Sequence, residues 1–167
     1  MRLKIGEDLK RRSLAYVKNN DLGKRYSAEK NQQENFVGIL GEVAVRNHYG
    51  IYTDLTADFD GGHDFEYYGN KISVKTTGGI EIPSQHHSSS FVAYSKDLKA
   101  DSFVISYYNK KTSELFLLGW VTKEELKEKG EKLTTGTERT AKDGSTYKVK
   151  APTYVIKASD LNPMHTL

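Results

Sequence analysis

The chain has 167 residues, of which 37% are hydrophobic and 28% charged, a composition typical of one globular domain and not of a disordered segment. It contains no cysteine, which excludes disulfides and thiolate metal sites and fits a cytoplasmic protein. The net charge is only +3, and no apolar run approaches the roughly 20 residues of a membrane span, so we expect no membrane partner.

The first predicted element is a basic helical segment. Residues 7–19 have the apolar spacing of a short amphipathic helix. Residues 1–30 hold nine Lys or Arg against four acids, which is typical of a surface that binds phosphates and equally of a solubilising helix. On the first interpretation, the candidate contacts to a DNA backbone are Lys10, Arg11, Arg12, Lys24 and Arg25.

A second predicted helix is capped by Ser27, runs to about Tyr49 and is expected to stop at Gly50. One side carries an apolar stripe, while the other holds Gly38, Gly41 and Glu42 with few further charges. Each glycine costs a helix interior about 1 kcal/mol relative to alanine, so we expect the close approach of another backbone to compensate. We therefore predict that this helix is packed on both sides and that Glu42 faces a specific partner.

A β-hairpin is predicted for residues 64–77, DFEYYGNKISVKTT, with two runs rich in β-branched and aromatic residues joined across Gly69-Asn70. Asp64 opens the first strand. Strand alternation places Ser73 and Lys75 on one face of the second strand. An acid and a lysine brought together on adjacent strands can hold a divalent cation beside a phosphate.

The rest of the chain is predicted to supply further strands and one short helix. Strands are expected at 91–95, 102–109, 114–122, 147–150 and 153–161, a helix at 123–129 and a mobile surface loop at 131–146. This order predicts a domain of the α/β (α+β) class, with a central mixed β-sheet flanked by helices. No phosphate-binding loop, dinucleotide-binding glycine motif or nucleophile elbow occurs, so the corresponding functions lack support.

The runs GILGEVAV and GGHDFEYYGNKISVKTT together resemble the PD-(D/E)XK, or restriction-endonuclease-like, nuclease superfamily, and in particular its small phage and prokaryotic members. In that family a helix Glu precedes an Asp at the start of one strand and an acid-X-Lys motif on the next. Glu42, Asp64 and Lys75 match these positions, and Ser73 stands where the family has an acid. The resemblance covers about residues 34–163.

The resemblance implies a metal-dependent DNA endonuclease with a restriction-endonuclease-like core. It implies that Asp64, Glu42 and the main-chain carbonyl of Val74 hold Mg²⁺ or Mn²⁺. Lys75 would then stabilise the phosphate and position the attacking water, while Ser73 would bind water or a group behind the metal ligands.

The whole chain, residues 1–167, is expected to form a single nuclease-like domain, with the basic helical segment at 1–30 and the core at 31–163. DNA is the expected partner. The alternative of a homodimer is left open, because cleavage of both DNA strands by one small active site usually requires two copies of the protein.

Ser73 leaves a second hypothesis open, in which the chain keeps the nuclease fold and binds nucleic acid but is catalytically impaired. Taken singly, each site residue also fits a structural role. Asp64 fits a turn and Lys75 a charge that protects a strand edge. Glu42 fits either a solvated helix acid or an acid paired with a nearby Lys or Arg. Glu66 is a further candidate acid, ranked below Glu42 because it lies farther along the strand.

Overall fold

The computed structural model describes the chain with the exception of residues 21, 23–27, 53–62, 85–87, 93–98, 141–143 and 145. For residues 28–31 and 88–92 it describes the backbone alone. Lys24 and Arg25, two of the candidate DNA contacts, therefore lie outside the described residues.

The described residues form helices, strands and two short 3₁₀ turns. The helices are α1 (Glu7–Asn19), α2 (Ala28–His48) and α3 (Lys123–Lys129). The strands are β1 (Arg2–Lys4), β2 (Phe65–Tyr67), β3 (Asn70–Gly79), β4 (Ser88–Val92), β5 (Ser102–Asn109), β6 (Glu114–Thr122), β7 (Glu131–Leu133), β8 (Glu138–Thr140), β9 (Thr146–Lys148) and β10 (Thr153–Lys157). The 3₁₀ turns are Ala158–Asp160 and Met164–Thr166. None of the described helices is long and apolar enough to cross a membrane.

The centre of the fold is a five-stranded sheet in the order β1-β6-β5-β3-β2. It is mixed, because β3 and β5 run parallel while every other neighbouring pair is antiparallel. Two smaller sheets have the orders β4-β10-β7 and β8-β9. The predicted class, a mixture of helices with a central mixed sheet, is confirmed.

Alternating side chains of the central sheet build two cores, one on each face. Val104 of β5 belongs to the core under α2, together with Ile72 and Val74 of β3. Its neighbours Phe103 and Ile105 point the other way, into a second core that includes residues of α3 and β10. Helix α1 packs on α2, so one face of the sheet carries two helices and the other carries α3 and the β4-β10-β7 sheet.

Helix α2 is packed on both sides, as predicted, and it determines where Glu42 lies. Leu40, Val43 and Val45 are fully buried, although their side chains point in different directions around the helix. Gly41 sits against the side chain of Thr76 on β3, and a Cβ at this position would lie 2.7 Å from the Thr76 Cβ. The expected close approach is therefore real at Gly41, but its partner is a side chain and not a backbone.

The predicted boundaries are correct for α1, one residue too long at the end of α2, and wrong by one residue at the hairpin. The predicted cap Ser27 lies outside the described residues. The turn is formed by Tyr68 and Gly69, with φ of +45° and +80°, and Tyr67 pairs with Asn70. Positive φ at both central residues is the requirement of a two-residue type I′ turn. The prediction placed the turn at Gly69-Asn70 because those residue types adopt positive φ more easily than tyrosine does.

Three short polar strands were missed. The segment 131–146 was predicted to be a mobile loop, but it contains β7, which pairs with β10, and β8, which pairs with β9. Strand β1 pairs with β6 and extends the central sheet. Strands of three residues are too short to show an alternating pattern, and these are largely exposed, so their polar composition hides them.

Candidate active site

Asp64 lies at the start of the hairpin, and its carboxylate is held by the neighbouring strand. Its backbone N–H donates to the Ile72 carbonyl at 2.8 Å. Its Oδ2 accepts from the Val74 N–H at 2.5 Å and from the Ser73 hydroxyl at 3.3 Å. The register of β2 and β3 thus fixes Asp64 beside the two β3 residues that the sequence analysis assigned to the same site.

The Val74 carbonyl points to the same edge of β3 as the Asp64 carboxylate. The carbonyls of β3 alternate between its two sides, since that of Lys71 accepts from Asp101 beside β5 and that of Ile72 accepts from Asp64. By this alternation, the N–H and the carbonyl of Val74 both lie on the β2 side. Strand β2 begins at Phe65, opposite Ile72, so this carbonyl lies past the end of the β2 ladder and beside Asp64.

Glu42 contributes a second carboxyl group from α2. Its side chain is buried, with 7% of the residue exposed, and Arg46 Nη1 donates to its Oε1 at 3.2 Å. Burial, reinforced by the charge of Asp64, raises the pKa of Glu42 to about 8. Burial also raises the pKa of Asp64, although the Val74 N–H and the charge of Lys75 act against that rise. The two carboxyl groups therefore share one poorly solvated region and interact electrostatically.

Lys75 places a positive charge near the two carboxyl groups. It is exposed, and it lies two residues beyond Ser73 on the same face of β3. Its charge lowers the pKa of both Glu42 and Asp64, which places it within electrostatic reach of the two carboxyl groups. The structure thus brings together all five residues that the sequence analysis assigned to catalysis and metal binding.

Arg46 is the member of this cluster that the sequence analysis did not name, although it left open that Glu42 pairs with a nearby Lys or Arg. It lies one helical turn after Glu42, and an acid followed four residues later by a cation is a recognisable sequence signal for an ion pair on a helix. Its charge lowers the pKa of both carboxyl groups. Glu66, the lower-ranked acid, has an exposed side chain 3.5 Å from His63 Nε2 and has no described bond to Asp64.

The oxygen donors of the site fit a small divalent cation. Among the described residues, no group of three or more His, Cys, Asp or Glu side chains is arranged to hold a metal ion. Magnesium, however, commonly takes one or two carboxylates and keeps several waters. Glu42 and Asp64 are two carboxyl groups with raised pKa values in a poorly solvated region, which a cation would stabilise in their charged forms. The Val74 carbonyl provides a third oxygen on the same edge.

The predicted DNA contacts on α1 are paired with acids of the same helix. Lys10 Nζ lies 2.6 Å from Glu7 Oε1, and both Arg11 and Arg12 bind Asp8, at 2.8 and 3.0 Å. Exposed pairs of this kind contribute little to stability, so a phosphate can replace the acid.

Lys10 lies at the opposite end of β3 and β5 from the two carboxyl groups. Its Nζ also donates to the Ser113 hydroxyl, in the turn that follows Asn109. Ser73 pairs with Phe103 at one end of the strands and Gly79 with Asn109 at the other. The separation of six residues between these positions corresponds to about 20 Å of strand. Contact between Lys10 and DNA would therefore be made well away from Asp64.

The chain was compared with protein-family models, with curated proteins and with solved structures, and none of the three comparisons gives a match.

Proposed function

We propose that this chain is a metal-dependent DNA endonuclease with a restriction-endonuclease-like core, which hydrolyses phosphodiester bonds. One observation carries the proposal. Glu42 and Asp64 come from a helix and a strand that are distant in sequence, yet they share a poorly solvated region beside the exposed Lys75. The two carboxyl groups destabilise each other's charged form, and a bound cation would relieve this repulsion. The neighbouring lysine would in turn attract a phosphate.

The chain's own residues would act in three ways. Glu42, Asp64 and the Val74 carbonyl hold a divalent cation, which supplies positive charge and a more acidic water. The Val74 N–H and the Ser73 hydroxyl orient the Asp64 carboxylate. The ammonium group of Lys75 contacts a phosphate oxygen, stabilises the charge that develops there during attack, and positions the attacking water.

The experiment that tests this proposal is nicking of supercoiled plasmid DNA in Mg²⁺ or Mn²⁺. Lys75→Ala is expected to slow nicking by about 100-fold or more, the usual effect of removing one group that stabilises transition-state charge. Lys71→Ala is the matched control, because Lys71 is also an exposed lysine of β3 but lies at the hairpin end of the strand. It is expected to nick at the wild-type rate.

Equal rates for Lys75→Ala and wild type would refute the role of Lys75. A wild-type protein that is inert with both metals on supercoiled, linear and single-stranded DNA would refute the endonuclease.

A second candidate is a catalytically impaired, nucleic-acid-binding protein with the same fold. This candidate is favoured because Asp64 Oδ2 already accepts two hydrogen bonds from β3, one of them from the Ser73 hydroxyl. A hydroxyl at this position adds no negative charge to attract a cation. This candidate predicts salt-dependent binding of DNA that does not require a metal.

Replacing Ser73 by Asp distinguishes the two candidates. Ser73 is buried and contacts Asp64, so a third carboxylate at this position is expected to lower the Tm by several degrees in EDTA. Addition of Mg²⁺ should restore the Tm, because the cation binds the folded state. Ser73→Asn introduces a side chain of about the size of Asp but without its charge, so the Tm of this variant should not depend on the metal. A gain in nicking by Ser73→Asp identifies an impaired site, whereas no gain indicates that Glu42 already completes the ligand set.

A further inference from the structure

A row of three tyrosines runs from the end of α2 to the tip of the hairpin. The ring centroids of Tyr49 and Tyr67 are 4.7 Å apart, and those of Tyr67 and Tyr68 are 4.6 Å apart. We call Tyr49, Tyr67 and Tyr68 the tyrosine row. The first two are partly buried and pack on the core under α2, whereas the Tyr68 residue is 88% exposed. The row therefore connects one exposed aromatic ring to two rings that pack on the core.

Tyr68 is a poor residue for the turn that it forms. Its φ is +45°, a conformation that bulky residues rarely adopt and that Asn or Gly adopts with less strain. Its exposed ring recovers little of this cost through burial. The turn would be more stable without the tyrosine, so the ring at this position is better explained by a binding role than by the stability of the fold.

The tyrosine row begins close to the two carboxyl groups. Tyr49 directly follows α2, and its N–H still donates to the Val45 carbonyl. It lies seven residues, or two turns, after Glu42, so the two residues share one side of the helix and are separated by about 10 Å along it. Asp64 immediately precedes β2 and Tyr67 ends that strand three residues later, a similar distance of about 10 Å. A strand of DNA with a phosphate at the carboxyl groups would therefore reach the row within a few nucleotides.

We propose that the tyrosine row, with Tyr68 at its exposed end, stacks unpaired bases of single-stranded DNA beside the carboxyl groups. This inference rests on the proposed function, which it deepens by naming the substrate class. Residues 67–70 of the tip carry no charge, and the adjacent Lys71 lies opposite the acid Glu66, so the tip presents a ring face and no net positive charge for the backbone of a duplex. Bases within a duplex are already stacked on each other, whereas every unpaired base offers a face to an aromatic ring.

The test measures binding in EDTA, where no cleavage occurs, with a short labelled oligothymidylate and a labelled duplex of the same length. Tyr68→Asn is expected to weaken binding of the single strand by about fivefold or more, the effect of losing one stacked base, and to leave the duplex unaffected. Its Tm should equal or exceed that of wild type, because Asn suits the positive φ. Tyr68→Phe, which keeps the ring, should bind like wild type.

Tyr147→Asn is the matched control, because Tyr147 is an exposed tyrosine on β9, outside the central sheet. The inference is overturned if Tyr68→Asn binds the single strand as wild type does, if both DNA forms weaken equally, or if Tyr147→Asn shows the same loss. It is also overturned if wild type does not bind single-stranded DNA and the hairpin tip binds another protein instead. If single-strand binding depends on Tyr68 but the protein never nicks DNA, the endonuclease proposal is refuted and the binding role of the tyrosine row is retained.

Discussion

Replacing Gly41 by alanine is expected to lower the free energy of unfolding by about 2 kcal/mol or more. The new Cβ would overlap the Thr76 hydroxyl and would lie 2.7 and 2.8 Å from its Cβ and Cγ2. Thr76 cannot easily turn away, because its β-branched side chain is stiff and its hydroxyl lies 2.8 Å from that of Ser106. The helix must therefore move off β3, and this cost exceeds the gain of about 1 kcal/mol from the better helix propensity of alanine.

Gly38→Ala is the matched control in the same helix. A Cβ at Gly38 would meet nothing within 4 Å, so this variant is expected to be more stable than wild type by up to about 1 kcal/mol. Urea denaturation measures both changes. If the two variants shift the unfolding midpoint in the same direction, the close packing of α2 on Thr76 is wrong.

The second large effect is a loss of stability with rising pH in the absence of metal. The pKa of Glu42 is about 8 in the folded protein, against an ordinary value of 4.5. Between these values the folded state keeps a proton that the unfolded state has released. The resulting stability is fully present below about pH 4.5 and is lost as the pH rises through 8, by up to about 1.4 kcal/mol per pH unit. The raised pKa of Asp64 acts in the same direction.

Thermal unfolding in EDTA at several pH values tests this expectation. Glu42→Gln binds no proton at this position, so its stability should fall less between about pH 5 and pH 8 than that of wild type. Glu66→Gln is the control, since Glu66 is an exposed acid of the same hairpin, and it should keep the wild-type dependence. Identical pH dependence in wild type and Glu42→Gln would contradict the burial of Glu42.

Metal binding should reverse the loss at high pH. At about pH 8, Mg²⁺ is expected to raise the Tm of wild type, because it binds the folded state and favours the charged carboxylates. Glu42→Gln and Asp64→Asn should gain much less. This measurement reports on the cation site without depending on any cleavage of DNA.

The sequence predicted where the candidate site residues lie relative to one another when that placement depends on local geometry. Ser73 and Lys75 share a face because strands alternate, and Asp64 reaches β3 because the two strands form a hairpin. Helix α1 has the predicted bounds, and Leu9 and Val17 pack inward because a separation of eight residues puts them on one side of a helix, whereas Leu14, the third expected apolar member, is exposed. These inferences use periods of 2 and 3.6 residues, which can be read without knowing the tertiary structure.

Other features depend on contacts between distant parts of the chain and could not be predicted in this way. The partner of Gly41 is Thr76, and only the packing of α2 on β3 reveals it. The location of Lys10 near Ser113 depends on where α1 docks. The turn at Tyr68 contradicts the local preference, and such conflicts between sequence preference and structure are where binding roles concentrate.

The short first strand also bears on how the protein folds. Arg2 pairs with Phe116, so one edge of the central sheet is completed by the beginning of the chain after β6 has been made. During synthesis, β6 emerges long after β1, and β1 has no partner until then. Until β1 docks, residues Glu114–Phe116 of the β6 edge remain open to pairing with other chains, and afterwards the exposed Arg2 and Lys4 make that part of the edge unfavourable for such pairing. Docking of β1 thus removes one place at which newly made chains could pair with each other.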